Sequence, residues 1–379
     1  MKRTATAILL AVLLSSIFYS AFILPVKAVG TIYIRADGSI DPPDAPISTS
    51  DNVTYILTGD ITFDYGIDGI VIMRDNMVFD GDGYTIQGYG SFLATGNGIS
   101  MLSSRTNVTV RNTHITRFVQ GIWLNFSSNN NICGNTVTDT WQGIWLNSSS
   151  NNSIYGNTIT GSVGDIGLNY YSSYNNVNGN VLENSKWGSG VAIGSHSNHN
   201  SINGNNITNN YGSGIWVGVA SAYTGIIGNN ITGNNPSGIW LDGGYLQNIT
   251  VHHNNFIDNA QQVTAQELTN NVWDNGYPSG GNYWSDYTGA DANGDGIGDT
   301  PYIIDTNNWD NYPLMEPYTQ LPGDINNDGT VDIFDIVIVA LEFGHPPPPI
   351  VDLRADVNKD GLVDIFDIVV VALHFGETG

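Results

Sequence analysis

Residues 121–147 read GIWLNFSSNNNICGNTVTDTWQGIWLN, and this stretch decides the architecture. Its first five residues, Gly121 to Asn125, return unchanged as Gly143 to Asn147. Gly214-Ile-Trp-Val and Gly238-Ile-Trp-Leu echo them further on. Each copy is followed by a polar run rich in Ser and Asn, then by a segment like Asn131-Ile-Cys-Gly-Asn-Thr-Val137. The inner apolar residues of that second segment are Val110, Ile132, Ile154, Val177, Ile202, Ile226 and Val251, at intervals of 22, 22, 23, 25, 24 and 25 residues. Within a repeat the apolar residues alternate (Ile122 and Leu124, Ile132, Val137), which is strand spacing, and no 3.6-residue stripe appears. Leucine-rich repeats share the period but not this grammar. Gly and Asn mark the corners, where left-handed backbone is needed. The fold expected is an all-β right-handed parallel β-helix, a solenoid with one coil per 22–25 residues.

Asn135, Asn157, Asn180, Asn205, Asn229 and Asn254 fall at one place in successive coils, which predicts a hydrogen-bonded Asn ladder at a corner. The coils span 76–269. Residues 29–75 read as an N-terminal cap with the first, less regular coils, and 270–318 as an irregular C-terminal cap. A linker over 319–322 leads to a last unit at 323–379. Lys2 and Arg3, an apolar run from Ala5 to Leu24, and Val26-Lys27-Ala28 make 1–28 a secretory signal with cleavage expected after Ala28. No later segment is apolar enough to span a bilayer. The mature chain is therefore expected outside the cell.

Cys133 is the only cysteine, so no internal disulfide can form. The formal net charge is −24, and about half of the acids lie from Asp286 onward. Lys186 is the one basic residue between Phe118 and Leu353. Such a surface repels nucleic acid and suits divalent cations.

The sharpest chemistry lies near the end. Asp324, Asn326, Asp328, Asp332 and Asp335 place oxygen donors at positions 1, 3, 5, 9 and 12 of an EF-type loop, with Gly329 at the sharp turn and the carbonyl of Thr330 at position 7. Asp356, Asn358, Asp360, Asp364 and Asp367, with the carbonyl of Leu362, repeat every donor 32 residues later. Position 12 carries Asp where Glu is usual. Two such loops in register, each followed by a near-identical apolar tail, predict two calcium ions. The tails IVIVALEFG and IVVVALHFG are expected to be helices, and Pro346–Pro349 between the copies a stiff spacer. A third loop in the C-terminal cap offers Asp291, Asn293, Asp295, the carbonyl of Ile297, and Asp299, but Tyr302 at position 12. Pro301 forbids an ordinary exiting helix there. A third calcium ion is expected to lock this cap.

The segments TIYIRADGSIDPPDAPI, GIVIMRDNMVFDGDGYTIQG, the NxIxGNxI repeats and GGNYWSDYTGADANGDGIGDTPYIID…DNYPLM resemble the NosD-type β-helix family over about residues 31–318. The family name carries a copper association. Seven His, five Met and one Cys without a clustered box do not carry copper over. From Gly323 to about Phe375 the chain resembles a type I dockerin, a pair of loop–helix units that docks onto a cohesin. That resemblance implies cohesin contacts at loop positions 10 and 11, here Ile333, Phe334, Ile365 and Phe366. The alternative is that Ile333 and Phe334 seal the small core between the two helices.

Whether the coils carry an enzyme is a separate question. A glycoside hydrolase needs two carboxylates about 5 to 9.5 Å apart. The candidates in the coils are Asp139, Asp165, Glu183, Asp242 and Asp258, and Asp165 and Asp242 lie three coils, roughly 14 Å, apart. A lyase acting on uronic acids needs cations, and Arg74, Arg105, Arg111 and Arg117 with His114 are the place to look. Trp123, Trp145, Trp216 and Trp240 share an outward position, broken into two pairs by Gly167 and Ala192, and outward Trp can stack on sugar rings. Eight N-x-Ser/Thr sequons begin at Asn52, Asn107, Asn125, Asn147, Asn151, Asn206, Asn230 and Asn248. The function expected is a secreted calcium-binding scaffold that contacts carbohydrate and attaches to a cohesin-bearing assembly. The alternatives are a polysaccharide hydrolase or lyase with an unassembled site, and a structural cell-envelope protein.

Overall fold

The structure is a computed structural model that describes residues 26–28, 30–90, 96–218, 220–243, 246–265, 271–319, 321, 323–325, 330–344, 355, 357 and 363–377. The chain winds as a right-handed parallel β-solenoid of about 9 turns. Among the described residues its faces are sheets of 11, 11 and 10 strands. One face holds the Trp-bearing strands (Gln120–Asn125, Gln142–Asn147 and their successors). The second begins each circuit's return with strands such as Asn131–Cys133, and the third follows a sharp corner with strands such as Thr136–Thr138.

The repeat alignment is the strand register. Val110 pairs with Ile132, Ile132 with Ile154, Ile154 with Val177, Val177 with Ile202, Ile202 with Ile226, and Ile226 with Val251. Alternation then decides what is inside: Ile122, Leu124, Ile132 and Val137 are each 0% exposed, and their counterparts continue one core along the axis. The repeated glycine that opens the Trp strand has a steric reason. A Cβ on Gly143 would lie 2.6 Å from the carbonyl oxygen of Asp165 in the next coil, and one on Gly214 would lie 2.7 Å from that of Gly238.

The predicted Asn ladder is present and buried. Asn157 donates its backbone N–H and its Nδ2 to Asn180 Oδ1, both at 3.0 Å, and Nδ2 also to the Ile132 carbonyl at 2.8 Å. Asn180 repeats this onto Asn205, Asn205 onto Asn229, Asn229 onto Asn254, and Asn254 onto Asn282. Two further ladders escaped the repeat alignment. Asn130, Asn152, Asn175 and Asn200 form one at the opposite end of the second-face strands, and Asn210, Asn234 and Asn259 form another where the third face turns toward the Trp face.

The ends are closed by different means. At the start, Val26–Lys27 pairs with Ile61–Thr62, and two antiparallel pairs (Tyr33 with Asp41, Ile47 with Leu57) flank the first coils. Cleavage after Ala28 would remove that first pairing. At the far end Phe256, Trp284 and Tyr302 stack face to face, with centroids 4.3 and 4.2 Å apart, and Trp273 is buried beside them. The corner ladder ends there on Asp310, which accepts from the backbone N–H of Asn282 at 2.7 Å and from Trp284 Nε1 at 2.9 Å. Burial pushes the Asp310 carboxyl up to about 6 despite these donors.

Both apolar tails are helices, α1 (Ile333–Glu342) and α2 (Ile365–Leu373). Asp332 and Asp364 cap them through matching capping boxes with Asp335 and Asp367. That start signal resolves the periodicity of the β-branched runs in favour of helix.

Because each ladder Asn satisfies buried groups in two neighbouring coils, Asn180→Ala should cost about 2 kcal/mol. The measurement is the shift of the urea midpoint. The same substitution at an exposed position, Asn307→Ala, should shift it by less than about 0.5 kcal/mol.

Candidate functional sites: the Trp face and the calcium loops

On the Trp face the register pairs Trp123 with Trp145 and Trp216 with Trp240, and Gly167 and Ala192 stand between the pairs. All four Trp residues are partly buried rather than standing free. The cause is visible in the neighbouring glycines. A Cβ on Gly167 would collide with the ring of Trp145, and one on Gly218 with that of Trp216, while one on Gly194 would lie 2.9 Å from the Trp216 ring. Trp145 and Trp216 therefore pack over positions where a side chain larger than glycine would clash. Trp216 also donates Nε1 to Asp242 at 3.3 Å, which holds its plane. Exposed aromatics border this face. At one edge the turns carry Tyr171 stacked on His196 and a column Tyr174–His199–Tyr223, with centroids 4.7 and 4.6 Å apart. At the other edge stand Trp141, Trp187 and Tyr211.

The coil carboxylates do not assemble into a hydrolytic pair. Asp165 lies in the column of inner glycines, is 0% exposed, and neither carboxylate oxygen has a hydrogen-bond partner among the described residues. Burial, with a smaller contribution from Glu183, pushes its carboxyl well above the usual range. A catalytic acid has to meet substrate, and a side chain sealed in the core cannot. Asp242 lies three strands away in the same sheet and holds Trp216. Asp139 pairs with Lys186 at 2.8 Å. Asp258 is exposed on a turn, where its backbone N–H donates to Ser285 Oγ at 3.0 Å. The early cations serve structure: Arg111 Nε meets Asp80 at 2.8 Å, and Arg105 bonds Asp75, the Met73 carbonyl and the Ser103 carbonyl. A Cβ built on Gly38 would strike the Arg74 guanidinium at 2.5 Å, so Arg74 packs against the cap. His114 and Arg117 are exposed on the first coils.

Of the dockerin-type loop residues, Asn326, Asp328, Asp356, Asn358, Asp360 and Leu362 lie outside the described residues. Asp324 is 1% exposed and Asp335 and Asp367 are 0% exposed. Asp335 accepts from the backbone N–H of Ile325 at 2.6 Å and of Asp332 at 2.8 Å, which ties the loop's last donor to its start. A buried carboxylate calls for compensating charge or hydrogen bonds, and oxygen donors of this kind suit a divalent cation. Ile333, Phe334, Ile365 and Phe366 are 55, 64, 53 and 62% exposed. The alternative in which Ile333 and Phe334 seal the inter-helix core is therefore overturned. That core consists of Ile325, Val331, Val339, Ala355, Val363 and Val371. The helix positions facing away from it leave Ile333 and Phe334 in solvent.

The third loop is a tight acidic turn. Asp291 accepts from the backbone N–H groups of Gly294 and Gly296 at 2.7 and 2.9 Å, Asp295 from Ile297 at 3.0 Å, and Asp299 from Ala292 at 2.8 Å. The backbone N–H of Ile297, followed by the Asn293 amide, holds the Asp295 carboxyl below its usual value. Tyr302 takes no part, since its hydroxyl donates to Asp286 and its ring stacks on Trp284. Among the described residues no three His, Cys, Asp or Glu side chains converge on one point, so the acids are gathered here but not closed into a cage. His252 and His253 come together with Nδ1 atoms 3.2 Å apart, and among the described residues no third His, Cys, Asp or Glu side chain joins them. Burial and the neighbouring His253 bring His252 down to about 4.

Fold and loops together define a right-handed β-helix followed by a pair of EF-type loop–helix units. The chain matches the right handed beta helix region family over residues 52–207, the periplasmic copper-binding protein (NosD) family over 167–289 and the dockerin type I domain over 322–375. These matches bear out the resemblance to NosD-type β-helix proteins with a C-terminal type I dockerin domain. No curated protein matches it in sequence. Among solved structures it is similar to the periplasmic alginate epimerase AlgG, at 15% identity and TM-score 0.41 over 64% of this chain and 74% of that one. The enzymatically active domain of bacteriophage CBA120 tailspike protein 2 matches at 15% identity and TM-score 0.45, over 57% of this chain and 40% of that one. The Azotobacter vinelandii mannuronan C-5 epimerase AlgE6 A-module matches at 13% identity and TM-score 0.35, over 65% and 87%. No helix among the described residues is long and apolar enough to cross a membrane.

Asp165 makes a pH prediction with a definite sign. Its folded-state value is raised, so the native state holds a proton that the unfolded chain releases above about 4. The stability this contributes is complete below that pH and is lost as pH rises toward the folded-state value. Asp165→Asn should therefore gain stability relative to wild type as pH rises from 4 to 7, by up to about 1.4 kcal/mol per unit. Parallel thermal melts across that range measure it.

Proposed function

We propose that this protein is an extracellular scaffold whose β-helix holds carbohydrate on its Trp face and whose dockerin plugs it into a cohesin-bearing assembly with calcium. The partly buried Trp residues of this face, with Trp145 and Trp216 packed over glycines, support the first half most directly. An indole held in place by its packing offers apolar surface to the C–H side of a sugar at a low ordering cost. Ladders of Asn and Ser at the border of the face supply amide and hydroxyl partners nearby. For the second half the support is the dockerin domain, which implies cohesin and calcium, together with an apolar strip on each helix. Ile333, Phe334 and Leu341 on α1 and Ile365, Phe366 and Leu373 on α2 stand more than half exposed, the anchoring pattern of a surface that expects a partner. In this reading two ions sit in the dockerin loops and a third at Asp291, Asn293, Asp295, the Ile297 carbonyl and Asp299, where it would close the acidic turn of the cap.

One experiment with two readouts tests both halves on the full chain. Trp145→Ala and Trp216→Ala should each reduce retention on insoluble neutral polysaccharide by about tenfold. Chelation with EDTA should remove the helical circular dichroism of the dockerin while leaving the β-sheet signal. Unchanged retention would contradict the face, and an unchanged helical signal would contradict calcium-dependent folding.

A further inference from the structure

Three successive turns lead from the third face into the Trp face, and together they line an open groove of about 510 Å³. The first turn holds Asn184, Ser185, Lys186 and Trp187, the second Asn209, Asn210 and Tyr211, and the third Gly233 and Asn235. The coil lengths explain why a groove opens here. Thr138 to Gly143 and Thr160 to Asp165 make the same crossing with fewer residues than Glu183 to Gly190, Thr208 to Gly214 or Thr232 to Gly238. Residues added to the shorter coils' crossing thus bulge outward at this corner. Hydrogen bonds between the turns hold the bulges in step, Tyr211 N–H to the Ser185 carbonyl at 3.1 Å and Asn235 N–H to the Asn210 carbonyl at 3.0 Å. The floor is rigid, because Ser185 and Asn210 belong to the buried ladder and are 3% and 1% exposed.

What the bulges carry is unusual for a turn. Trp187 is 72% exposed and Tyr211 67% exposed, against the partly buried Trp residues of the face itself. Neither ring is needed by the core. Asn184, Asn209 and Asn235 place three amides on the same groove, each able to donate and accept. Aromatic faces with amides between them match a ligand that is apolar on its ring faces and hydroxylated at its edges. The charge selects within that class. The one cation of the groove, Lys186, is already paired with Asp139 at 2.8 Å, in a chain of net charge −24, so a polyanion meets no attractive field.

We propose that this groove is a binding subsite for a neutral saccharide, separate from the Trp row and placed at its rim. It rests on the carbohydrate-binding reading above. Trp187 and Tyr211 supply stacking surfaces, and the amides of Asn184, Asn209 and Asn235 select hydroxyls. A chain lying across the Trp face would run into this groove at the edge where the turns enter.

The test is titration calorimetry of the full chain in calcium, with cellohexaose, mannohexaose and laminarihexaose as neutral probes and hexagalacturonate as the anionic one. At least one neutral probe should bind. Trp187→Ala and Tyr211→Ala should each weaken it by about tenfold, and Lys186→Gln should change it by less than about twofold. Both rings are exposed, so the variants should keep the wild-type melting temperature. Neutral binding that survives Trp187→Ala but is lost in Trp145→Ala would overturn the subsite and leave the Trp face standing. Preference for hexagalacturonate abolished by Lys186→Gln would overturn the neutral assignment. Absence of wild-type binding to every probe would overturn the subsite and the carbohydrate reading together.

Discussion

Each coil of this solenoid buries amide groups that its neighbouring coils satisfy. The corner Asn is the clearest case: its Oδ1 receives two donors from the coil before, while its own N–H and Nδ2 go on to the coil after. An unpaired amide in that position would cost more than the hydrogen bond contributes, so the interaction enforces register rather than merely adding stability. A slip by one residue would break the ladder and turn Ile and Val outward at the same stroke. With register held this tightly, the turns are released from structural duty and can vary in length and content.

That division of labour explains where function sits. The three sheets are nearly invariant in pattern, inward apolar and outward small or polar, whereas the turns carry Tyr, His, Trp and Lys at places where the backbone often takes positive φ. Tyr170, Tyr171, Tyr174, His196, His199 and Tyr223 all do so, a conformation that bulky side chains seldom adopt. Their exposure on one border of the Trp face, and that of Trp187 and Tyr211 on the other, gives an aromatic surface wider than the Trp row alone. The dockerin follows the same logic on a smaller scale. Among the described residues its core is built from Ile325, Val331, Val339, Ala355, Val363 and Val371, and type I dockerin domains typically bind calcium.

Much of this was legible from the chain. Seven aligned apolar residues, Val110 to Val251, predicted the strand register pair by pair, because a period-2 pattern repeated at coil length has one physical solution. The corner ladder was legible for the same reason, since Asn recurs beside a glycine turn. The second and third ladders were not, because Ser and Thr share those columns with Asn and blur the repeat. Asp165 stood among the candidate coil carboxylates. It is buried because it occupies the inner glycine column, a fact that register reveals and local sequence does not. Asp310 as the ladder's terminal acceptor carried no local signal at all. The groove was equally hidden: it exists between three turns, and only the stacking of coils brings Trp187, Tyr211 and Asn235 onto one wall.

The proposed role of the coil as a scaffold that holds carbohydrate is the claim on which the rest turns. It is tested most directly by incubating the full chain in calcium with a panel of insoluble polysaccharides and measuring soluble sugar released over time. The prediction is protein held on the solid phase with no oligosaccharide above the blank. Steady release of oligosaccharides would contradict it and favour the alternative of a polysaccharide hydrolase or lyase.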